Sequence, residues 1–171
     1  VDAFVSDASP EAYAKLVERL LSSPHYGGRM AIYWLDLVRF GQTNGYERDA
    51  EKPNAWRYRD YVVRSFNEDK TYDRFVVEQL AGDELLNYEQ TDTLTGEMME
   101  NLVATGFLRM APDGTGSGAN TAAAQNQVMA ETLKIVSTSL MGMTVGCAQC
   151  HDHRYDPILQ SDYYKLRAVF E

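Results

Sequence analysis

Apolar residues along this 171-residue chain recur three and four positions apart rather than alternating, which is the mark of helices packed through one face. The first stripe is Ala12, Leu16, Val17, Leu20 and Leu21. Ser9-Pro10-Glu11 ahead of it predicts a helix start: a serine N-cap, proline at the first helical position and an acid in the first turn. Ser22-Ser23-Pro24 ends that helix. Met30, Tyr33, Trp34, Leu37 and Val38 mark a second helix over about 26–40, with Asp36 and Arg39 turned to polar partners. An aromatic and basic helix follows at about 55–67, and another at 72–81 turns Phe75, Val76 and Leu80 inward. Thr71 is placed to cap the latter and Gly82 to end it. A short helix spans about 95–105. The longest runs from about 121 to 143 on Val128, Met129, Leu133, Val136, Leu140 and Met143, and a last one covers 162–170 behind Ser161.

Between these lie polar stretches. The loop 41–54 carries the turn signal Asn44-Gly45 and then Pro53, and reads either as solvated surface or as the wall of a site. The loop 111–120 is rich in glycine, but no Gly-Lys-Ser/Thr follows, so it is not a phosphate loop. No alternating run suggests a strand. The pattern predicts an all-α domain over residues 1–171 with about six or seven helices and long irregular loops.

One segment carries chemistry: Cys147-Ala148-Gln149-Cys150-His151-Asp152-His153. It holds both cysteines of the chain and two of its three histidines. Two thiols three residues apart, followed at once by an imidazole, form the attachment pattern of a c-type haem. The thiols anchor the porphyrin as thioethers, and the imidazole of His151 binds the iron. The helices would then pack around one covalent haem c, with His151 as metal ligand. Other readings of the same residues are a zinc site from Cys147, Cys150, His151 and His153, a redox dithiol, and a disulfide. His153 lies too close along the chain to reach the opposite face of the ring, and suits a supporting role better. The second axial ligand is not legible. His25 reads as a surface histidine, and the methionines as core filler, Met110 being the least core-like. Arg57 and Arg59 are candidates to pair with haem propionates or with another carboxylated ligand. Tyr46 and Asp49 join them as wall residues if the site is a cleft. The adjacent Asp83-Glu84 pair suits a hard cation or plain solvent.

Composition narrows the partners. A net charge of −9 argues against nucleic acid or an anionic membrane surface. No run of eighteen apolar residues exists, so no transmembrane helix is expected. The chain begins at Val1 without a methionine, which suggests a processed or partial segment.

Several blocks, in order, resemble a known family. They are Tyr33-Trp34-Leu35-Asp36-Leu37, Asn44-Gly45-Tyr46-Glu47, Pro53-Asn54-Ala55-Trp56-Arg57-Tyr58-Arg59-Asp60-Tyr61, Tyr72-Asp73-Arg74-Phe75, Gln79-Leu80-Ala81-Gly82-Asp83-Glu84-Leu85, and the segment from Cys147 through Pro157. Together they resemble the second planctomycete cytochrome-like domain, over nearly the whole chain. The resemblance implies haem c on Cys147, Cys150 and His151 in a bacterial protein, periplasmic or otherwise exported and longer than this segment. Members often carry histidine where Tyr33 stands, and lysine where Arg154 stands. The family has no settled activity. The expected function is electron transfer to a redox partner or to further domains of the same protein. The alternatives are a haem enzyme oxidising a small molecule or glycan, and a non-haem structural or carbohydrate-binding module built on a zinc or disulfide knot.

Overall fold

The computed structural model describes residues 1–46, 49–86, 88, 92–114 and 121–171. Glu47 and Arg48, and most of the glycine-rich stretch, lie outside them. Among the described residues there are eight α-helices and no strand beyond an isolated antiparallel bridge between Thr43 and Glu51. In chain order they are α1 (Asp2–Val5), α2 (Ala12–Leu21), α3 (His25–Leu37), α4 (Ala55–Asn67), α5 (Tyr72–Ala81), α6 (Gly96–Ala104), α7 (Ala122–Leu140) and α8 (Gln160–Arg167). Tight 3-10 turns at Thr105–Arg109 and Val145–Gln149 follow α6 and α7. The all-α expectation holds. The helix count exceeds it by the short α1, which lies ahead of the first apolar stripe.

The helix boundaries show which local signals decide. Thr95 and Thr121 cap α6 and α7, their hydroxyls accepting from the backbone N–H of Met98 and Ala124 at 3.2 Å. Ser9 does not cap α2. It sits in a turn held by Asp7, whose Oδ1 accepts from the Ser9 N–H at 2.9 Å, and the helix begins at Ala12. Ser161 does not cap α8 either; Asp162 reaches back to the Leu159 N–H at 3.1 Å. Gly82 ends α5 with a right-handed φ of −59°. Its role is close approach, since a Cβ there would collide with the Asn101 and Glu78 carbonyl oxygens.

Most of the apolar burial lies in one aromatic core. Ala31, Trp34 and Val38 of α3 meet Tyr58, Tyr61 and Val62 of α4, Phe75 of α5, Phe107 of the first 3-10 turn, and Ile135 and Val136 of α7. The helices pack around these side chains, and the Cys147–His151 segment lies outside this core. Met110 is buried here at 8 % exposure, so it is a core residue after all. On α3 the inward face is Gly27, Ala31 and Trp34, continued by Val38 just past its end, whereas Tyr33 and Leu37 face out. Gly27 sets that choice: a Cβ there would collide with the Val63 carbonyl, so α3 and α4 cross closely at that point. On α2, Leu20 and Leu21 are exposed and nothing is fully buried.

A smaller core stands beside the first. It consists of Leu133 of α7, Val145 and Ala148 of the second 3-10 turn, Ile158, and Tyr163 of α8. Helix α7 serves both cores through adjacent faces.

The end of α4 yields a stability prediction. Asp69 sits at φ +50°, and the Lys70 N–H closes back on the Ser65 carbonyl at 2.9 Å, the hydrogen bond of a glycine-type helix stop. A β-carbon in the left-handed region costs about 1–2 kcal/mol. Asp69→Gly is expected to raise the denaturation midpoint, by about 0.5–1 kcal/mol once glycine's extra unfolded-state entropy is offset.

Candidate functional site

The cysteine segment is a surface feature anchored by the smaller core. In the turn Val145–Gln149, Val145 and Ala148 point inward, at 4 % and 0 % exposure, against Leu133, Ile158 and Tyr163. That placement turns Cys147 and Cys150 outward, both of them free and exposed. Gly142, at φ +63°, brings the chain round from the end of α7 into this turn.

The two histidines hold opposite tautomers. His151 Nδ1 lies 2.7 Å from the Asp152 carbonyl oxygen. A carbonyl only accepts, so Nδ1 carries the proton and Nε2 keeps its lone pair. That is how a metal-binding imidazole is usually oriented. In His153 the Nδ1 accepts the Asp156 N–H at 2.9 Å and the Tyr155 N–H at 3.3 Å. The proton therefore sits on Nε2, which donates to Thr144 Oγ1 at 2.9 Å. Both nitrogens of His153 are thus occupied, and its side chain is only 6 % exposed. It acts as a latch across the base of the loop.

Other ties complete the latch. The Gln149 carbonyl accepts from Gln160 Nε2 at 3.1 Å and from the Tyr164 hydroxyl at 3.2 Å. Asp152 Oδ1 accepts the Gln160 N–H at 2.8 Å, which places a carboxylate at the start of α8. The backbone N–H of His153 donates to the Ile158 carbonyl at 2.8 Å. The segment is thereby presented as a preformed loop. His153→Ala is expected to destabilise the protein by about 1–2 kcal/mol and to speed hydrogen exchange at the Tyr155 and Asp156 amides, with the α3–α5 amides unchanged.

The donor set fits a c-type haem: two free outward thiols three residues apart, and an adjacent imidazole with an open Nε2. The surroundings are shallow. The groove at Cys147 is about 290 Å³, lined by Ala130, Glu131, Lys134 and Thr138 of α7 together with Thr144, Gly146 and Gln149. Ligand-enclosing pockets run to roughly 300–1,000 Å³, so this groove lies at the small end for enclosing a ligand. Beneath it the Tyr163 hydroxyl is buried without a hydrogen-bond partner. Burial pushes its pKa up against the opposing pull of nearby Arg167.

The remaining candidates are dispersed. Arg57 and Arg59 lie on α4. Arg57 stacks over Trp56 at 4.8 Å and lines a different groove, and Arg59 is ion-paired to Asp60 at 2.8 Å. Neither lines the groove at Cys147. Tyr33 is exposed on α3 and accepts a hydrogen bond from Arg29 at 2.9 Å. His25 is exposed, as expected. Asp49 caps the Asn44-Gly45 turn, its Oδ1 accepting the Gly45 N–H at 2.7 Å. Tyr46 packs its ring against Gly114. Asp83 and Glu84 are exposed. Among the described residues no group of three or more His, Cys, Asp or Glu is arranged to hold a bare metal ion, so the four-ligand zinc site has no support. No described helix is long and apolar enough to cross a membrane. Sequence reasoning missed Thr144, Gln149, Gln160 and Tyr164, whose roles arise only when α8 folds back on the turn.

No curated protein and no solved structure matches the chain. A family model does, from end to end: the chain belongs, over residues 1–171, to the PSCyt2 family, described as a protein of unknown function (DUF1549).

Proposed function

We propose that this is a redox domain carrying one haem c, attached through Cys147 and Cys150 and bound through the Nε2 of His151. The observation that carries the reading is the His151 tautomer, beside two free outward thiols on a latched turn. Bound there, the haem supplies one-electron chemistry, its iron passing between ferric and ferrous states. The protein's own contributions are distinct. Ala148 and Val145 fix the turn, His153 and Gln149 hold the loop closed, and the Asp152 carbonyl orients the imidazole. The groove is shallow, so the haem edge stays open to a redox partner or to a further domain of the same protein. Covalent haem attachment takes place outside the cytoplasm, so the reading also places the domain in an exported protein.

The test is an absorption spectrum of the protein produced with a c-type haem attachment system, oxidised and then reduced. Electron transfer predicts sharp low-spin bands that cycle reversibly, and their loss in His151→Ala. A high-spin spectrum that changes on adding peroxide would favour the haem-enzyme alternative. A protein without visible-region bands would end both readings.

A further inference from the structure

A second groove, of about 550 Å³, lies on α4 away from the cysteine segment, and the two grooves share no lining residue. Three cations line it, Lys52, Arg57 and Arg109, against one acid, Glu51. That balance is unusual in a chain of net charge −9. The cations are only partly answered. Arg109 is paired with Asp113 at 2.9 Å. Lys52 donates to the Arg109 carbonyl at 3.0 Å, and Asp113 and Asp49 lie close enough to attract its charge without forming an ion pair among the described residues. Arg57 stacks over Trp56 and makes one long hydrogen bond, from Nε to Asn54 Oδ1 at 3.4 Å; its terminal nitrogens have no hydrogen-bond partner among the described residues. Burial first, and the Arg109 guanidinium second, hold the Lys52 ammonium below its ordinary pKa.

The groove is also preformed. Its loop wall is closed by Asn44 N–H to the Ala50 carbonyl at 2.9 Å and Lys52 N–H to the Gln42 carbonyl at 2.7 Å. The wall is then tied down by the Asp113 N–H, which donates to the Asn44 carbonyl at 2.9 Å. Apolar side chains, Val103 and Met110, line the groove as well. A guanidinium fork with free terminal nitrogens suits a carboxylate in bidentate geometry, and the volume falls within the range for small ligands.

We propose that this groove binds a small carboxylate ligand, its charge held by Arg57 and Lys52 and its body resting on Val103 and Met110. The site is independent of the haem reading. The test is a titration of isotope-labelled protein, followed by amide shifts, with cyclohexanecarboxylate and with glucuronate. Their neutral counterparts, cyclohexanemethanol and glucose, serve as controls. The expected result is saturable shifts around 54–57 and 106–110 with at least one carboxylate, none with its neutral counterpart, and affinity at least tenfold weaker in Arg57→Gln. Arg57 is exposed, so that variant is expected to keep its fold, checked by an unchanged thermal midpoint; Arg57→Lys should bind between the two. No saturable shift with either carboxylate, equal shifts with the neutral compounds, or undiminished binding in Arg57→Gln would each overturn the proposal.

Discussion

Replacing Glu78 with leucine is expected to lower the unfolding free energy by about 3–5 kcal/mol, the usual cost of removing one member of a buried charge cluster. Glu78 is 3 % exposed. Its carboxylate accepts from Lys70 at 2.5 Å, from Arg74 at 2.6 Å and from the Tyr61 hydroxyl at 2.8 Å. Lys70 is itself only 18 % exposed and stacks over the Tyr61 ring at 4.6 Å. Removing the carboxylate therefore strands a half-buried ammonium and a buried hydroxyl. Arg74 is 53 % exposed and recovers its hydration, which limits the loss. Denaturant unfolding measures the effect. Adding Tyr61→Phe to the leucine variant is expected to restore part of it, because no stranded hydroxyl then remains.

The same cluster fixes a pH dependence. Burial alone would raise the Glu78 pKa; the hydrogen bonds from Lys70, Arg74 and Tyr61 together outweigh it and hold it below the ordinary 4.5. A carboxylate with a lower pKa in the folded state stabilises the fold fully above its unfolded value. That contribution is lost as pH falls through the folded value. Wild-type stability should therefore drop below about pH 4.5, and the leucine variant should show a shallower acid limb.

Trp34→Ala is the second large effect, with an expected loss of about 3–5 kcal/mol for emptying an aromatic core site. The ring packs edge-on to Phe75 at 4.9 Å. Its Nε1 donates to the Tyr58 hydroxyl at 3.0 Å and to Gln79 Oε1 at 3.2 Å, and Tyr58 also donates to Gln79 at 2.5 Å. One side chain thus ties α3, α4 and α5 together. Trp34→Phe keeps most of the volume and loses the donor, and should cost about 1–2 kcal/mol. The difference between the two variants separates packing from hydrogen bonding.

These two sites mark where the sequence was legible and where it was not. Trp34, Val38, Phe75, Leu133 and Val136 stand out as stripe residues and are buried. Glu78 and Gln79 are buried as well, but a polar side chain in a helix reads as surface until its partners on other helices are known. The α2 stripe failed for the converse reason: periodicity shows that a helix has an apolar face, not that this chain covers it. On α3, Gly27 moved the inward face by allowing a close crossing that side-chain hydropathy does not register. At the candidate site the donors were explicit in the order Cys-x-x-Cys-His. Their support was not, because it comes from Thr144, Gln149, Gln160 and Tyr164, joined only by the return of α8. The geometry places Arg57 beside Lys52 and Arg109, in a groove that shares no lining residue with the one at Cys147.

Mass spectrometry under denaturing conditions reads the proposed covalent bond between haem and this turn. The protein is produced with a c-type haem attachment system, beside the Cys147→Ser/Cys150→Ser double variant. The wild-type chain is expected to retain the added mass of one haem after denaturation, with the addition on the peptide containing Cys147 and Cys150, and the double variant is not. A wild-type chain at its bare polypeptide mass under those conditions would contradict the proposed bond.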